Sequence, residues 1–334
     1  MVLILMRSSE NCMRKTRIKI MGMNKIVTAI KENSTFLIST HKSPDGDALG
    51  SSIALGLGLK KIGKEVVYAF EKPGGGKFSF LNELNEINGS YIDKSFDVGI
   101  FLDSSDPDHL FDSSLMERCR LRINIDHHVS NEGYCHLNYV DVNASATGEA
   151  VYELLLNLET DIDEEIALAL YTAIVSDTGN FKYSNVTYKT HEIASKLYKF
   201  PNRYWEISRK LFDETTFEKV QLIGYALGKI SLAKDGRVAV IHLSYEDLKK
   251  FSDDADMEGV INYARDIRGV EVAVMIKETS KDIFKVSFRA NTDFDVSKIA
   301  VYYGGGGHSK AAGCTIRDMK FEDVLEDIKS HIVF

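Results

Sequence analysis

Apolar residues along this chain gather in short runs, and the turns after them are polar, acidic or histidine-bearing. "TFLIST" (35–40) is a β-branched run of strand length. "ALGSSIALGLGLKKIG" (48–63) has helical length and spacing, with Gly63 placed to cap its end. "KEVVYAF" predicts the next strand. "FDVGIFLD" and "RLRINID" predict two more, read as fully buried parallel strands and ending at Asp103 and Asp126. "SATGEAVYELLLNL" and "DEEIALALYTAIVSD" predict helices. This alternation over 24–190 predicts an α/β fold: an open, doubly wound parallel sheet with helices on both faces. In such sheets the reactive groups lie beyond the carboxyl ends of the strands.

From about Thr190 to Lys229 the pattern is almost wholly helical, broken only at Pro201. Strand signals resume in "RVAVIHLS", "VEVAVMIKE" and "IFKVSFRA", with helices expected at 257–267, 295–303 and 320–331. The expected organisation is an extension (1–22), a catalytic domain (23–190), a helical connector (191–225) and a smaller α/β domain (226–334), with the active-site cleft between the two domains.

Composition narrows the function. The 334 residues carry a formal net charge of −8, which suits a long polyanionic partner poorly but permits a local basic pocket for a small anion. No apolar run approaches the length of a membrane span. The opening "MVLILM" has its basic residues after the apolar stretch, the wrong order for a secretory signal. Four cysteines with no CxxC pair read as reduced thiols in a cytoplasmic protein.

The predicted strand ends carry the chemistry. "STHKSPDGDALGSS" follows the first strand with His41, Asp45 and Asp47. Asp103 ends "FLDSSD", "IDHH" supplies Asp126, His127 and His128, and "AIVSDTGNF" offers Asp177 at the end of an apolar helix. So many carboxylates in one crevice require cations to neutralise them. Oxygen and imidazole donors without thiolates suit Mn²⁺ or Mg²⁺ better than structural zinc, and the donors suffice for two ions if one carboxylate bridges. Nothing here supplies a covalent nucleophile; Ser104 and Ser105 are assigned to turn geometry.

"HKSPDGDALGS", "LDSSD", "IDHH" and "SDTGNF", in that order, resemble the four motifs of the DHH phosphoesterase superfamily, and "GGGGHSKAAG" resembles the signature of the accompanying DHHA1 domain. Within that superfamily the chain looks most like the nano-RNase/pAp phosphatase group of two-domain enzymes. The resemblance implies one metal held by His41, Asp45 and Asp103, and a second by Asp47, Asp103, His127 and Asp177, with Mn²⁺ expected and Mg²⁺ as the alternative. It implies that His128 faces the substrate phosphate and that Asp126 orients an adjacent histidine. It also implies hydrolysis of short RNA oligonucleotides, two to four nucleotides long, to 5′-mononucleotides, and of the nucleoside bisphosphate pAp to AMP. Cyclic-di-AMP or pApA hydrolysis is the alternative activity; inorganic pyrophosphatase and a non-catalytic nucleotide sensor are weaker ones. A homodimer is the assembly expected of the group.

The second domain carries its own anion signals. Gly304, Gly305, Gly306 and Gly307 read as a backbone nest for phosphate, strengthened by His308 and Lys310 just after them. Arg289 stands at a strand end where its planar fork can grip phosphate, and Arg265 and Arg268 form a second basic pair. The chain offers no evident basic track for long nucleic acid, which limits the expected substrate to a few phosphates.

Overall fold

Thr35–Ser39 form the first strand (β1) in the computed structural model, which describes residues 22–334 except 75, 88, 90, 92, 252–256 and 258 and the side chain of His308. The expected extension thus lies almost wholly outside the described residues. The chain divides into two units between Glu214 and Thr215.

In the first unit a helix at 22–32 (α1) precedes β1, and α2 (Gly46–Lys61) follows it. β2 (Glu65–Tyr68), β3 (Phe96–Leu102), β4 (Cys119–Asp126) and β5 (Leu137–Val140) complete a parallel sheet of order β2-β1-β3-β4-β5. The chain runs outward from β1 to β2 and then returns to the other side of β1 as β3. That reversal places a crevice at the carboxyl ends of β1 and β3. α3 (Thr147–Asn157), α4 (Glu164–Asp177), α5 (Tyr188–Leu197) and α6 (Tyr204–Ser208) follow.

Phe36, Ile38, Val98 and Ile100 point from the sheet into the main core with α2, α3 and α4. The opposite face, expected under helices, is instead closed by two 3₁₀ turns (Pro107–His109 and Ser113–Arg118) and loops, which pack Leu110 and Leu115 against Leu37 and Phe101. The connector expected at 191–225 is not a separate layer. Ile193, Leu197, Tyr204 and Ile207 join the first core, while α7 (Phe217–Leu227) falls in the second unit.

The second unit is a mixed six-stranded sheet of order β10-β11-β9-β8-β7-β6. Its strands are β6 (Ile230–Ala233), β7 (Val238–Leu243), β8 (Val272–Ser280), β9 (Ile283–Ala290), β10 (Gly306–His308) and β11 (Ala311–Arg317). Its helices after α7 are α8 (Tyr245–Leu248), α9 (Val260–Arg265), α10 (Ser297–Tyr302) and α11 (Phe321–His331). The glycine run is therefore not wholly the open nest expected. Gly306 and Gly307 pair with Gly313 and Ala312 as the first strand of a hairpin. A Cβ on Gly305 would come within 2.2 Å of the Gly313 carbonyl oxygen, so that position is glycine for close approach.

Candidate metal centre

Asp45 caps α2: its Oδ1 accepts from the backbone N–H groups of Asp47 (3.0 Å) and Ala48 (3.1 Å). Asp47, fully buried, faces the first turn of α3. Its Oδ2 accepts from Thr147 N (2.7 Å), and its Oδ1 accepts from Gly148 N (3.0 Å) and Ser51 Oγ (2.9 Å). One helix start thus displays one carboxylate and the next helix start grips another, so the alternation of Asp45 and Asp47 aims them differently.

Asp103 leaves β3 in the left-handed region (φ +54), which an aspartate tolerates better than most residues. Its Oδ2 lies 3.7 Å from His41 Nε2, and its Oδ1 lies 3.6 Å from His127 Nε2. His127 Nε2 is also 3.2 Å from Asp177 Oδ2 and 3.8 Å from Asp47 Oδ2. His41, Asp45 and Asp103 form one group able to hold a cation, and Asp47, His127 and Asp177 form another. Asp103 reaches toward both.

The imidazoles are presented as ligands are. His41 Nδ1 meets the Lys42 carbonyl at 2.8 Å, and His127 Nδ1 meets the Ala144 carbonyl at 3.2 Å. A carbonyl only accepts, so each Nδ1 carries a proton and each Nε2 is the nitrogen turned toward the carboxylates, the atom that would give its lone pair to a bound cation. His128 is arranged differently. Its Nδ1 is 2.7 Å from Asp126 Oδ1, leaving Nε2 to face outward. Nδ1 also lies 3.8 Å from Asp103, and the three residues Asp103, His127 and His128 lie close enough to form a further group, but Asp126 already engages that nitrogen.

The electrostatics call for a cation. Burial pushes the Asp177 carboxyl up to about 6, with the charges of Asp103 and Asp45 adding to it against the pull of His127. Burial, then Asp103, Asp177 and Asp45, raise Asp47 as well. At Asp103 burial pushes upward, but His41, His127 and His128 outweigh it and hold the carboxyl below its ordinary value. Among the described residues no lysine or arginine forms an ion pair with Asp45, Asp47, Asp103 or Asp177; histidines alone do. Carboxylates this crowded, with imidazole Nε2 atoms aimed among them, fit a hard divalent cation.

Residues unmarked by the sequence reading hold the donors in place. The Thr147 hydroxyl donates to Asp103 Oδ1 at 2.8 Å. Asn131 Nδ2 donates to Asp126 Oδ2 at 2.5 Å and to Asn124 Oδ1 at 2.8 Å. Glu149, fully buried, takes the hydroxyls of Ser145 (2.6 Å) and Thr190 (2.7 Å) on Oε1, while its Oε2 has no hydrogen-bond partner among the described residues. Asn185 Nδ2 bridges the carbonyls of Ser145 and Asp177. The only sequence signal for this set is the polar "SATGE" opening an apolar helix. Ser104 Oγ bonds the Asp106 carbonyl, in keeping with the turn role expected of it.

In the second unit Arg289, half-buried, stands in register with Ala311 and, one strand further, His308. Arg265 pairs with its neighbour Asp266 at 2.8 Å. Lys310 bonds the Thr292 carbonyl and reaches Asp293, which ties down its own loop. Gly304 takes a positive φ at the end of α10.

Residues 35–174 match the model of the DHH family N-terminal domain, and residues 235–333 match that of the DHHA1 domain. The chain is 31% identical to the bifunctional oligoribonuclease and PAP phosphatase NrnA of Thermus thermophilus, covering 88% of this chain and 89% of that one. It is 28% identical to the Bacillus subtilis protein of the same name, covering 92% and 97%. Among solved structures, an exopolyphosphatase-related protein from Bacteroides fragilis superposes with a TM-score of 0.83 at 25% identity, over 92% of this chain and 95% of that one. With matched domains in this order, and with this density of carboxylates and imidazoles at the strand ends, the chain belongs to the DHH family of phosphoesterases.

Proposed function

We propose that this hydrolase cleaves very short oligoribonucleotides to 5′-mononucleotides and converts 3′-phosphoadenosine 5′-phosphate to AMP, the pair of activities in its relatives' names. The observation that carries the reading is the pair of cation-holding groups meeting at Asp103, with His128 beside them on a separate tether. His41, Asp45 and Asp103 would hold one Mn²⁺, and Asp47, Asp103, His127 and Asp177 the other. When bound, such ions supply Lewis acidity toward a phosphoryl oxygen and the attacking water.

The chain's own groups do the rest. Asp126 fixes the His128 ring through Nδ1, so Nε2 is the atom that meets a phosphoryl oxygen and holds a proton there. Asn131 occupies the other Asp126 oxygen and keeps that carboxylate from turning. In the second unit, Arg289, Arg265, His308 and the segment Gly304–Gly307 are the groups assigned to substrate phosphate. The described cysteines, Cys119, Cys135 and Cys314, are free thiols, which fits work in the cytoplasm.

The test is turnover of a diribonucleotide and of pAp by metal-depleted protein, with and without added Mn²⁺. Release of 5′-mononucleotides only when metal is restored is the expected result. Hydrolysis of pyrophosphate or cyclic-di-AMP in preference to both would overturn the substrate assignment.

A further inference from the structure

β4 carries an amide where its immediate neighbours are apolar: Asn124 is fully buried between Ile123 and Ile125. Its register partner is Phe101 of β3, so it lies on the sheet face closed by the 3₁₀ turns. A buried side-chain amide is costly unless each of its polar atoms is paired. The direction of its bonds is therefore informative.

Asn124 Nδ2 donates to the carbonyls of Phe101 (3.0 Å) and Ser104 (3.2 Å), and lies 3.2 Å from Tyr134 Oη. Two carbonyls only accept, so this amide cannot be turned round. Its Oδ1 faces the other way and accepts from Asn131 Nδ2 at 2.8 Å. Asn131 is oriented as strictly. Its Nδ2 also serves Asp126 Oδ2 and the Ser104 carbonyl (3.3 Å), while its Oδ1 takes the Gly133 N–H at 2.8 Å. The Ser104 carbonyl thus receives both amides, and Ser104 directly follows Asp103. The Asp103 N–H bonds the carbonyl of Ile125, the residue after Asn124, at 3.0 Å.

Two lines of contact therefore start at Asn124. One holds the end of β3, where Asp103 stands. The other runs through Asn131 to Asp126 and on to His128 Nδ1. The second line needs a buried anchor. The His127 N–H and His128 Nδ1 both draw on Asp126 Oδ1, which leaves Oδ2 to set the tilt of the carboxylate. The Oδ2 partner, Asn131, is only half-buried, in a turn whose Val129, Ser130, Glu132 and Gly133 are exposed. Asn124 ties that turn to the interior.

We propose that Asn124 is a positioning residue for the hydrolysis: it sets the His128 ring relative to Asp103 by holding the turn after β3 and the Asn131–Asp126 arm in one buried network. Being fully buried, it acts through His128 and not on substrate. The inference rests on the part given to His128 above. A misplacement of about 1 Å at a reacting group costs on the order of 100-fold in rate, so a network that prevents one matters without supplying any chemistry.

The experiment compares the full chain with Asn124→Ala, Asn131→Ala, His128→Ala and the two asparagine changes combined with His128→Ala. Diribonucleotide turnover is measured with saturating Mn²⁺. The His128 Nδ1 proton is followed by NMR in Mg²⁺-loaded protein, assigned by its loss in His128→Ala. Asn124→Ala should lower kcat about 10- to 100-fold. KM and Mn²⁺ affinity should stay within about threefold, and the Nδ1 proton signal should shift or broaden. With His128 already replaced, Asn124→Ala should cost less than about twofold more, because both changes remove one function. Asn131→Ala, in the half-buried turn, should repeat the pattern and decides the matter if Asn124→Ala does not fold. An equal fold-loss in kcat with His128 present and absent, as a general loosening of structure produces, would overturn the proposal. So would an Nδ1 proton signal that neither asparagine change moves. Wild-type turnover by His128→Ala would instead refute the part given to His128, and the NMR signal would still decide whether Asn124 holds its ring.

Discussion

Thr147 and Asp103 are joined by a buried hydroxyl-to-carboxylate hydrogen bond of 2.8 Å across 44 residues of sequence. The same threonine gives its backbone N–H to Asp47, so one residue registers two of the crowded carboxylates. Thr147→Val removes the first contact and spares the second. Metal affinity measured by calorimetry should fall about 10- to 100-fold, the usual effect of losing a partner of a ligand, with little change in melting temperature. An unchanged affinity would show that Asp103 needs no such support.

Asp103→Asn should abolish hydrolysis while the protein stays folded, because asparagine also tolerates the left-handed backbone found there. Circular dichroism and a dinucleotide assay check this. A residual rate above a tenth of wild type, about 1.4 kcal/mol of barrier, would exclude a carboxylate shared by two ions.

His127→Ala and His128→Ala should separate. The first removes an Nε2 aimed at three carboxylates and should weaken one class of metal site. The second removes a ring held by Asp126 and should lower turnover far more than metal binding. Equal loss of metal in both variants would place His128 among the ligands.

Glu149→Ala removes the carboxylate that accepts from the buried hydroxyls of Ser145 and Thr190. It should lower stability by about 1–3 kcal/mol and weaken metal binding through the Ser145–Asn185–Asp177 connection. Glu149→Gln retains an acceptor oxygen and should restore most of the metal affinity. Denaturant titration and calorimetry on both variants give the answer.

Asp247 in the second unit should contribute to acid unfolding. Burial pushes its carboxyl up, but Tyr225, the Ser244 backbone N–H and Lys229 outweigh this and hold it far below its ordinary value. A carboxyl depressed in the folded state stabilises fully above its unfolded value of about 4, and that stabilisation is lost as pH falls toward the folded value. Calorimetric melting of Asp247→Asn should therefore show lower stability at pH 7 and a flatter decline below pH 4 than wild type. Parallel curves would remove Asp247 from that role.

The site was more legible in the sequence than its support. β1 and β3 announce themselves as nearly continuous apolar runs because both faces of a parallel sheet are covered, β4 by alternating Leu121, Ile123 and Ile125, and a chemically conspicuous residue stands at or within two positions of each strand's end: His41, Asp103 and Asp126. β5 escaped notice: four residues at a sheet edge, "LNYV", bury only Tyr139. β10 and β11 were hidden in a glycine- and alanine-rich stretch with no strand propensity of its own; pairing to β9 makes them strands. Thr147, Glu149 and Asn131 were invisible for another reason. Threonine, glutamate and asparagine carry no mark of chemistry, and several of their partners lie 40 to 100 positions away.

α2 and α4 approach so closely that a Cβ on Gly50 would sit 2.4 Å from the Ala169 carbonyl oxygen, and one on Gly46 2.5 Å from Ser176 Oγ. Asp47 rides on the first helix and Asp177 ends the second. Their separation is set at Gly50 by backbone against backbone and at Gly46 by backbone against the Ser176 side chain. Such a seat would act on a bound ion as a gauge of its radius, with little slack to close around a smaller one. Enlarging either glycine by a methyl would recalibrate the gauge, changing which divalent ion is held without touching a donor atom.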